Sequence, residues 1–131
     1  MSRLLPFIAV ICIALSLTAR AAPTPHVDAA TPLDAGRYLV VVTGCNHCHT
    51  AGWQQTNGHV PETQWLKGGH APPNVPTPNL RSVVGAMDEK QFDRLFRTVQ
   101  PVMVMPWYNL RTLSDADIHA LYTYIHSLKN S

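Results

Sequence analysis

The feature that most constrains this chain is the pentapeptide Cys45-Asn46-His47-Cys48-His49. Two cysteines three positions apart lie on one side of a helical turn, so their thiols can reach the two vinyl groups on one edge of a porphyrin. The histidine that follows directly can bind the iron from the same face. This spacing is typical of covalent c-type haem attachment. Because it occurs once, it predicts one haem c bound through Cys45, Cys48 and His49.

Two other chemistries use paired cysteines. A thioredoxin-like thiol-disulfide protein would need a strand before the motif and βαβ units around it, and the sequence shows neither pattern. A zinc knuckle would need a second pair of ligands at close spacing. His59 and His70 are available for this, but there is no second Cys pair, and His47 is expected on the solvent side. The haem interpretation is therefore favoured.

The N-terminus has the layout of a secretory signal peptide. Arg3 precedes an almost wholly apolar stretch from Leu4 to Leu17, and Ala19-Arg20-Ala21 supplies a small-x-small cleavage site. The alternative is an uncleaved membrane anchor, but the apolar stretch is shorter than the ~20 residues that span a bilayer. We therefore expect cleavage of residues 1–21, export to a bacterial periplasm, and no membrane span in the mature protein.

Length and charge limit the domain organisation and the functions that the chain can have. The 131 residues suit one domain, with residues 22–33 as a flexible, proline-rich lead-in and 34–131 as the folded part. The formal charge of +2 falls to zero once Arg3 and Arg20 are removed, which leaves eight basic against eight acidic residues. Since no basic cluster exists, nucleic-acid binding is not expected.

Hydrophobic periodicity predicts a helical domain. One helix is expected from about Leu33 to Gly44, although the Val40–Val42 run would also suit a strand. Residues 51–85 are expected to be mostly loop, with a possible short helix from Pro61 to Lys67. A third helix is expected after Asp88, which forms a capping box with Gln91, and a fourth after Ser114.

Methionine is the favoured sixth iron ligand because its soft thioether suits ferrous iron. Met87 precedes the cap of the third helix and is explained by packing there. Met103 and Met105 lie in an extended segment between helices and point the same way. Pro106 rigidifies the backbone beside Met105, so we favour Met105, with Met103 as the rival and a His or an open site as further alternatives.

Other side chains are candidates for supporting contacts. The second nitrogen of His49 is expected to donate to a backbone carbonyl within Pro72–Pro78. Thr77 and Asn79 are weaker candidates for hydrogen bonds near the motif. Four aromatic residues are candidates for haem contacts, with ordinary core packing as the alternative for each. Trp53 and Trp65 could cover the porphyrin, and Trp107 and Tyr108 could contact the Met sulfur or a propionate.

Several segments together resemble a known family, the class I monohaem cytochromes c. The resemblance is closest to the cytochrome c modules of bacterial membrane-bound alcohol, aldehyde and gluconate dehydrogenases. The matching segments are Gly36-Arg37-Tyr38-Leu39-Val40, Gly44-Cys45-Asn46-His47-Cys48-His49-Thr50, Gly68-Gly69, Thr77-Pro78-Asn79-Leu80, Asp88-Glu89-Lys90-Gln91-Phe92, Met105-Pro106-Trp107, and Leu113-Ser114-Asp115-Ala116-Asp117-Ile118 through Tyr124.

The resemblance implies an all-α, cytochrome c-like fold of three to five helices wrapped around one covalent haem. It implies His49 and Met105 as axial ligands. It also implies that the first helix crosses the last where Gly36 meets Tyr122 or Tyr124. The chain departs from the family pattern at Val99, where glycine is frequent, and it carries one haem motif where the dehydrogenase modules usually carry three.

The expected function is one-electron transfer in the periplasm, with no catalysis by the chain itself. The expected partners are redox proteins: a periplasmic or membrane-bound dehydrogenase, a terminal oxidase, or both. One alternative is a haem-bearing subunit of a larger dehydrogenase or oxidase complex. Another is a ligand-binding or peroxidatic haem protein with an open sixth site.

Overall fold

A computed structural model describes residues 26–98 and 104–129 of the chain. These ranges contain α1 (Pro32–Val42), α2 (Cys45–His49), a 3-10 turn (Glu62–Gln64), β1 (Gly69–Ala71), β2 (Val75–Thr77), α3 (Leu80–Gly85), α4 (Glu89–Thr98), α5 (Trp107–Leu110) and α6 (Asp115–Ser127). The predicted signal segment and Met103 lie outside the described residues.

The all-α class expected from the sequence is confirmed. The described ranges hold six helices where three to five were expected, and one small hairpin in which β1 and β2 pair antiparallel. The additional helices are short: α2 has five residues, α3 six and α5 four. Segments of one or two turns are too brief for a helical period to be visible in the sequence.

Local capping chemistry defines α1. The Thr31 side chain accepts a hydrogen bond from the Asp34 amide, and Pro32 occupies the first helical position. The Val40–Val42 run is therefore helical, and the strand alternative is wrong. The helix ends before Gly44, whose φ of +79° lies in the left-handed region that favours glycine.

The crossing of α1 and α6 organises the fold. A Cβ added at Gly36 would collide with the carbonyl oxygen of Ala120 and lie 2.6 Å from the Cβ of Tyr124. Glycine is what allows the two backbones to approach this closely. Of the two tyrosines expected at this crossing, Tyr124 is the one that Gly36 meets.

The predicted caps of the third and fourth helices are confirmed. In α4, the Asp88 amide donates to the Gln91 side chain and the Gln91 amide donates to the Asp88 carboxylate, which is a reciprocal capping box. In α6, the Ser114 hydroxyl accepts from the Asp117 amide. Short polar side chains thus satisfy amides that a helix start leaves without intrahelical partners.

The stretch from Ala51 to Gly85 is more ordered than expected. Its second half forms the β1–β2 hairpin and α3, and the Asn79 side chain caps α3 by accepting from the Ser82 amide. The predicted helix from Pro61 to Lys67 is reduced to the 3-10 turn. Prolines and glycines dominate this region, so periodicity could not reveal the hairpin.

The core lies between α1, α4, α5 and α6, and the loop after α2 packs on it. Its larger buried side chains are Leu39, Val40, Trp53, Trp65, Leu66, Phe92, Phe96, Trp107, Leu110, Ile118, Leu121, Tyr124 and Ile125. The described end of the lead-in also reaches it, because Val27 packs against this core and its amide donates to Asp117 at 2.8 Å. Within the described ranges, no helix has both the length and the apolarity needed to traverse a membrane.

Candidate functional site

The pentapeptide forms a separate helical turn directly after α1. Gly44 turns the chain between them, and α2 starts at Cys45 and ends at His49. Cys45 and Cys48 are half-buried free thiols at helical i, i+3 spacing, and Asn46 between them is buried while His47 is exposed. Residues at this spacing on a helical turn lie on the same side of it, so both sulfurs can serve one edge of a cofactor.

The electrostatic environment of the thiols does not activate them. Burial raises the pKa of Cys45 above its ordinary value, against the smaller lowering effect of a hydrogen bond with Thr43. Burial also raises the pKa of Cys48. Reactive C-x-x-C pairs in thiol-disulfide enzymes have a depressed thiol pKa instead. The pair is therefore unlike a redox-active dithiol.

His49 is held in one orientation. Its side chain is 6% exposed, and Nδ1 donates to the carbonyl oxygen of Pro78 at 3.0 Å. Burial lowers the pKa of His49, and the Pro78 hydrogen bond opposes this in part. The imidazole is consequently favoured in the neutral form with Nε2 as the free nitrogen, which is the form that ligates metals. The predicted carbonyl within Pro72–Pro78 is confirmed as Pro78.

The β1–β2 hairpin and Gly68 just before it bind the C-terminal end of α2 through hydrogen bonds. The Thr77 hydroxyl donates to the Cys48 carbonyl at 2.5 Å, and the Gly68 amide donates to the His49 carbonyl at 2.9 Å. A Cβ at Gly69 would lie 2.6 Å from the Cys48 oxygen. The Gly68-Gly69 pair was the sequence signal for this close approach, although the sequence did not indicate what it approached.

A buried polar chain links α2 to the loop that follows. Asn46 is fully buried, and its Oδ1 accepts from the Thr50 hydroxyl at 2.7 Å. The same hydroxyl accepts from the buried Leu66 amide at 2.8 Å. This chain fixes the loop backbone against the motif, and sequence analysis did not assign Asn46 or Thr50 a role.

Met105 lies two residues before the start of α5, half-buried and packed against the core. Its carbonyl accepts from the Trp107 amide at 2.8 Å, which closes a tight turn through Pro106. Since Met103 lies outside the described residues, the choice between the two methionines stays a prediction.

Two aromatic pairs, one Trp–Trp and one Trp–Phe, pack near these segments. Trp53 and Trp65 are both buried and contact edge to face at 5.3 Å, while Trp107 packs edge to face on Phe96 at 6.0 Å. The Trp65 indole N–H donates to the Val60 carbonyl. The Trp107 indole N–H is buried and has no acceptor among the described residues.

A buried arginine beside the site was not predicted from the sequence. Arg81 is 2% exposed and donates to the carbonyls of Trp65 and Glu62, each at 2.7 Å. The Glu62 carboxylate accepts from the Tyr124 hydroxyl at 2.6 Å. These bonds tie the loop after α2 to α6. A lone arginine after a helix cap gives no sequence signal that it will be buried.

The zinc alternative finds no support in the geometry. His59 and His70 are both exposed. In the ranges 26–98 and 104–129, no cluster of three or more His, Cys, Asp or Glu side chains could hold a metal ion.

The residues present fit a covalently attached haem. Two unactivated free thiols stand next to a neutral, oriented imidazole, which is the donor set that thioether attachment and iron ligation require. The buried Trp107 N–H, which has no acceptor in residues 26–98 and 104–129, also suits a cofactor that brings oxygen acceptors with it.

Comparison with known proteins agrees with this fit. A family model described as Cytochrome c matches residues 33–129. Separate searches of curated proteins and of solved structures returned no match. The match begins at the second residue of α1, runs through α6 and includes every residue of the site described above. The chain belongs to the cytochrome c family, whose members are electron carriers with covalently bound haem c.

Proposed function

We propose that the chain is a periplasmic one-electron carrier with a single haem c, attached through Cys45 and Cys48 and ligated axially by His49 and Met105. The observation that carries this proposal is the His49 imidazole, buried next to two free thiols and oriented by the Pro78 carbonyl. The cofactor supplies the redox chemistry by cycling its iron between ferrous and ferric states. The protein supplies attachment, orientation and burial.

His49 is assigned as the proximal ligand through Nε2. Its Nδ1 is engaged by Pro78, and this bond fixes both the tautomer and the ring plane. A carbonyl acceptor also makes the imidazole a stronger electron donor, which stabilises ferric iron. This contact is therefore one determinant of the reduction potential.

Met105 is assigned as the distal ligand. The turn through Pro106 and the packing of Trp107 restrict its backbone, and its half-buried position suits a side chain directed at a cofactor. A six-coordinate iron leaves little room for a substrate, so the assignment favours an electron carrier over a peroxidatic or ligand-binding protein.

Trp107 is assigned a contact with a haem propionate. Its indole N–H is a buried donor without a described acceptor, and leaving such a group unsatisfied costs about 1–3 kcal/mol. A propionate oxygen would remove that cost. Tyr108, which is 74% exposed, is assigned to the surface instead.

A second candidate function is a haem-bearing subunit of a larger dehydrogenase or oxidase complex. Two exposed apolar side chains next to Met105 favour it: Val104 is 42% exposed and Tyr108 74%. The sequence likeness to dehydrogenase cytochrome modules agrees with this candidate. Size measurement on solubilised extracts separates a free carrier from a stable subunit, since only the subunit co-migrates with a larger oxidoreductase.

Spectroscopy of the exported protein tests the ligand assignment. We expect a pyridine haemochrome typical of thioether-linked haem, and its loss when Cys45 and Cys48 are both replaced by Ala. Met105→Ala should remove the iron–thioether charge-transfer band of the ferric protein. Met103→Ala, the matched control, should retain it.

Three outcomes would contradict the proposal in different ways. A colourless exported protein would show that no haem is attached. Loss of the band in Met103→Ala alone would transfer the distal ligand to Met103. Retention of the same spectrum by both methionine variants would favour a His or an open sixth site, and with it a ligand-binding or peroxidatic role.

Export and processing are tested on the same preparation. We propose that residues 1–21 are removed during export and that the segment from Ala22 to the start of α1 at Pro32 leads into a single domain. N-terminal sequencing of periplasmic protein should begin at Ala22. Recovery of the full-length chain in the membrane fraction would instead support an uncleaved anchor.

A further inference from the structure

The two-residue segment Thr77–Pro78 contacts the haem motif at two successive positions. The Thr77 hydroxyl donates to the Cys48 carbonyl at 2.5 Å, and the Pro78 carbonyl accepts from His49 Nδ1 at 3.0 Å. Two successive residues, one through its side chain and one through its backbone, thus contact both the second attachment cysteine and the axial histidine. The two bonds are mechanically coupled because the planar Thr77–Pro78 peptide joins the residue that bears the hydroxyl to the residue that bears the carbonyl.

The sequence around this segment makes the hydroxyl difficult to replace. Thr77 lies between Pro76 and Pro78, and neither proline has an N–H to donate. The single turn of α2 leaves its last carbonyls without intrahelical partners. Gly68 satisfies the His49 carbonyl, and the Thr77 hydroxyl satisfies that of Cys48.

The rest of the hairpin does not hold Pro78 in place by itself. In the β1–β2 register, Thr77 is the last paired residue, opposite Gly69. Pro78 lies one residue beyond the ladder, with α3 capped by Asn79 immediately after it. The position of the Pro78 carbonyl, which accepts the His49 hydrogen bond, therefore depends on the contacts of the residues before and after it. Thr77 provides the contact on the side of the haem motif.

We infer that Thr77 is a positioning residue for the axial histidine, whose hydroxyl bond to the Cys48 carbonyl holds the Pro78 carbonyl at hydrogen-bonding distance from His49. This inference rests on the proposed ligation by His49. Its consequence concerns the iron: a shorter Nδ1–H···O bond makes the imidazole more basic, and a more basic ligand favours the ferric state. Loss of the Thr77 hydroxyl should therefore raise the reduction potential.

The test compares Thr77→Val with Thr77→Ser in the holoprotein. Valine keeps the branched shape and removes the hydroxyl, whereas serine keeps the hydroxyl. We expect Thr77→Val to shift the redox equilibrium at least threefold toward ferrous iron, which is about 28 mV at 59 mV per tenfold change for one electron. Thr77→Ser should retain the wild-type potential. Thr98→Val is the matched control, because the Thr98 hydroxyl bonds the Arg94 carbonyl on the exposed end of α4.

A spectroscopic readout separates positioning from general loosening. The His49 Nδ1 proton resonance in the ferrous protein should move to higher field in Thr77→Val, since it reports the Pro78 hydrogen bond directly. If Thr77→Val incorporates too little haem to measure, Thr77→Ala provides the same comparison. A wild-type potential and wild-type Nδ1–H resonance in the hydroxyl-free variant would overturn the inference, and so would equal shifts in the Ser and Val variants.

His49→Ala distinguishes this failure from failure of the proposed function. If His49→Ala keeps the wild-type haem spectrum, His49 is not the ligand and the proposed function is wrong at that residue. If the haem spectrum changes in His49→Ala but the reduction potential is the same with and without the Thr77 hydroxyl, only the role assigned to Thr77 is wrong.

Discussion

At the scale of single residues, Glu62 joins the loop after α2 to both long helices. Its carboxylate accepts from the Tyr124 hydroxyl at 2.6 Å and from the Arg37 guanidinium at 2.9 Å. Burial alone would raise the pKa of Glu62. The two hydrogen bonds, with the charges of Arg37 and Arg81, outweigh burial and hold the pKa below its ordinary value of 4.5.

This depressed pKa predicts acid sensitivity. A carboxyl whose pKa is lower in the folded state stabilises the fold above its unfolded pKa, and that stabilisation disappears as the pH falls through the folded value. The urea midpoint of wild type should therefore fall as the pH drops below about 4.5. Glu62→Gln should show a shallower acid dependence than Asp28→Asn, which removes a carboxylate at an exposed position. Equal slopes would contradict the prediction.

Thr50 is the second residue whose contacts predict a measurable effect. Its hydroxyl serves the buried Leu66 amide and the buried Asn46 side chain at once. Thr50→Val would leave both without this partner, and the expected cost is about 1–3 kcal/mol in the free energy of unfolding. Thr50→Ser keeps the hydroxyl and should lose less. Equal urea stability of the two variants would show that the hydroxyl is not the stabilising group.

At the scale of elements, the α1–α6 crossing is the contact most sensitive to substitution. On helix propensity alone, Gly36→Ala should stabilise α1 by up to about 1 kcal/mol. The added Cβ would instead collide with the Ala120 carbonyl and approach Tyr124. We expect a net destabilisation of about 1–3 kcal/mol, the range for overpacking. The sign is therefore opposite to that given by propensity.

Urea unfolding of the haem-loaded protein measures this effect. Tyr38→Ala, on the exposed side of the same helix, is the control and should change stability by no more than about 0.5 kcal/mol. A Gly36→Ala variant as stable as wild type would mean that the helices can separate without cost.

The sequence predicted elements well wherever a local chemical rule applied. The caps at Asp88 and Ser114 are visible because the capping side chain and its partner lie three residues apart. The hairpin was not visible because prolines interrupt its sequence and it packs on α2, and α3 was not visible because it has only six residues and packs on α6. Asn79 was a usable signal for α3, since asparagine is a strong N-cap.

At the scale of the whole molecule, charge predicts how the protein meets its partners. The chain without residues 1–21 carries eight basic and eight acidic residues and is formally neutral. Long-range steering of an encounter needs a net charge or a large charged patch, and salt screens it. We therefore expect the rate of electron exchange with a partner to change less than about threefold between low and physiological ionic strength.

Stopped-flow reduction of the chain without residues 1–21 across a salt series measures this dependence. A negatively charged and a positively charged small reductant serve as controls, and both should show shallow slopes. A steep slope of one sign would mean that an uneven distribution of charge, rather than the neutral total, governs docking.

The sequence by itself determined the chemistry of attachment and the helical class. A C-x-x-C-H turn places its three donors through covalent spacing alone, so no tertiary information is needed to predict the haem. Only the tertiary structure showed what orients those donors: Pro78 on His49, Thr77 on Cys48, and Tyr124 rather than Tyr122 against Gly36. These partners are about 30 to 90 residues apart in sequence, and a contact between distant residues leaves no periodic trace in either segment.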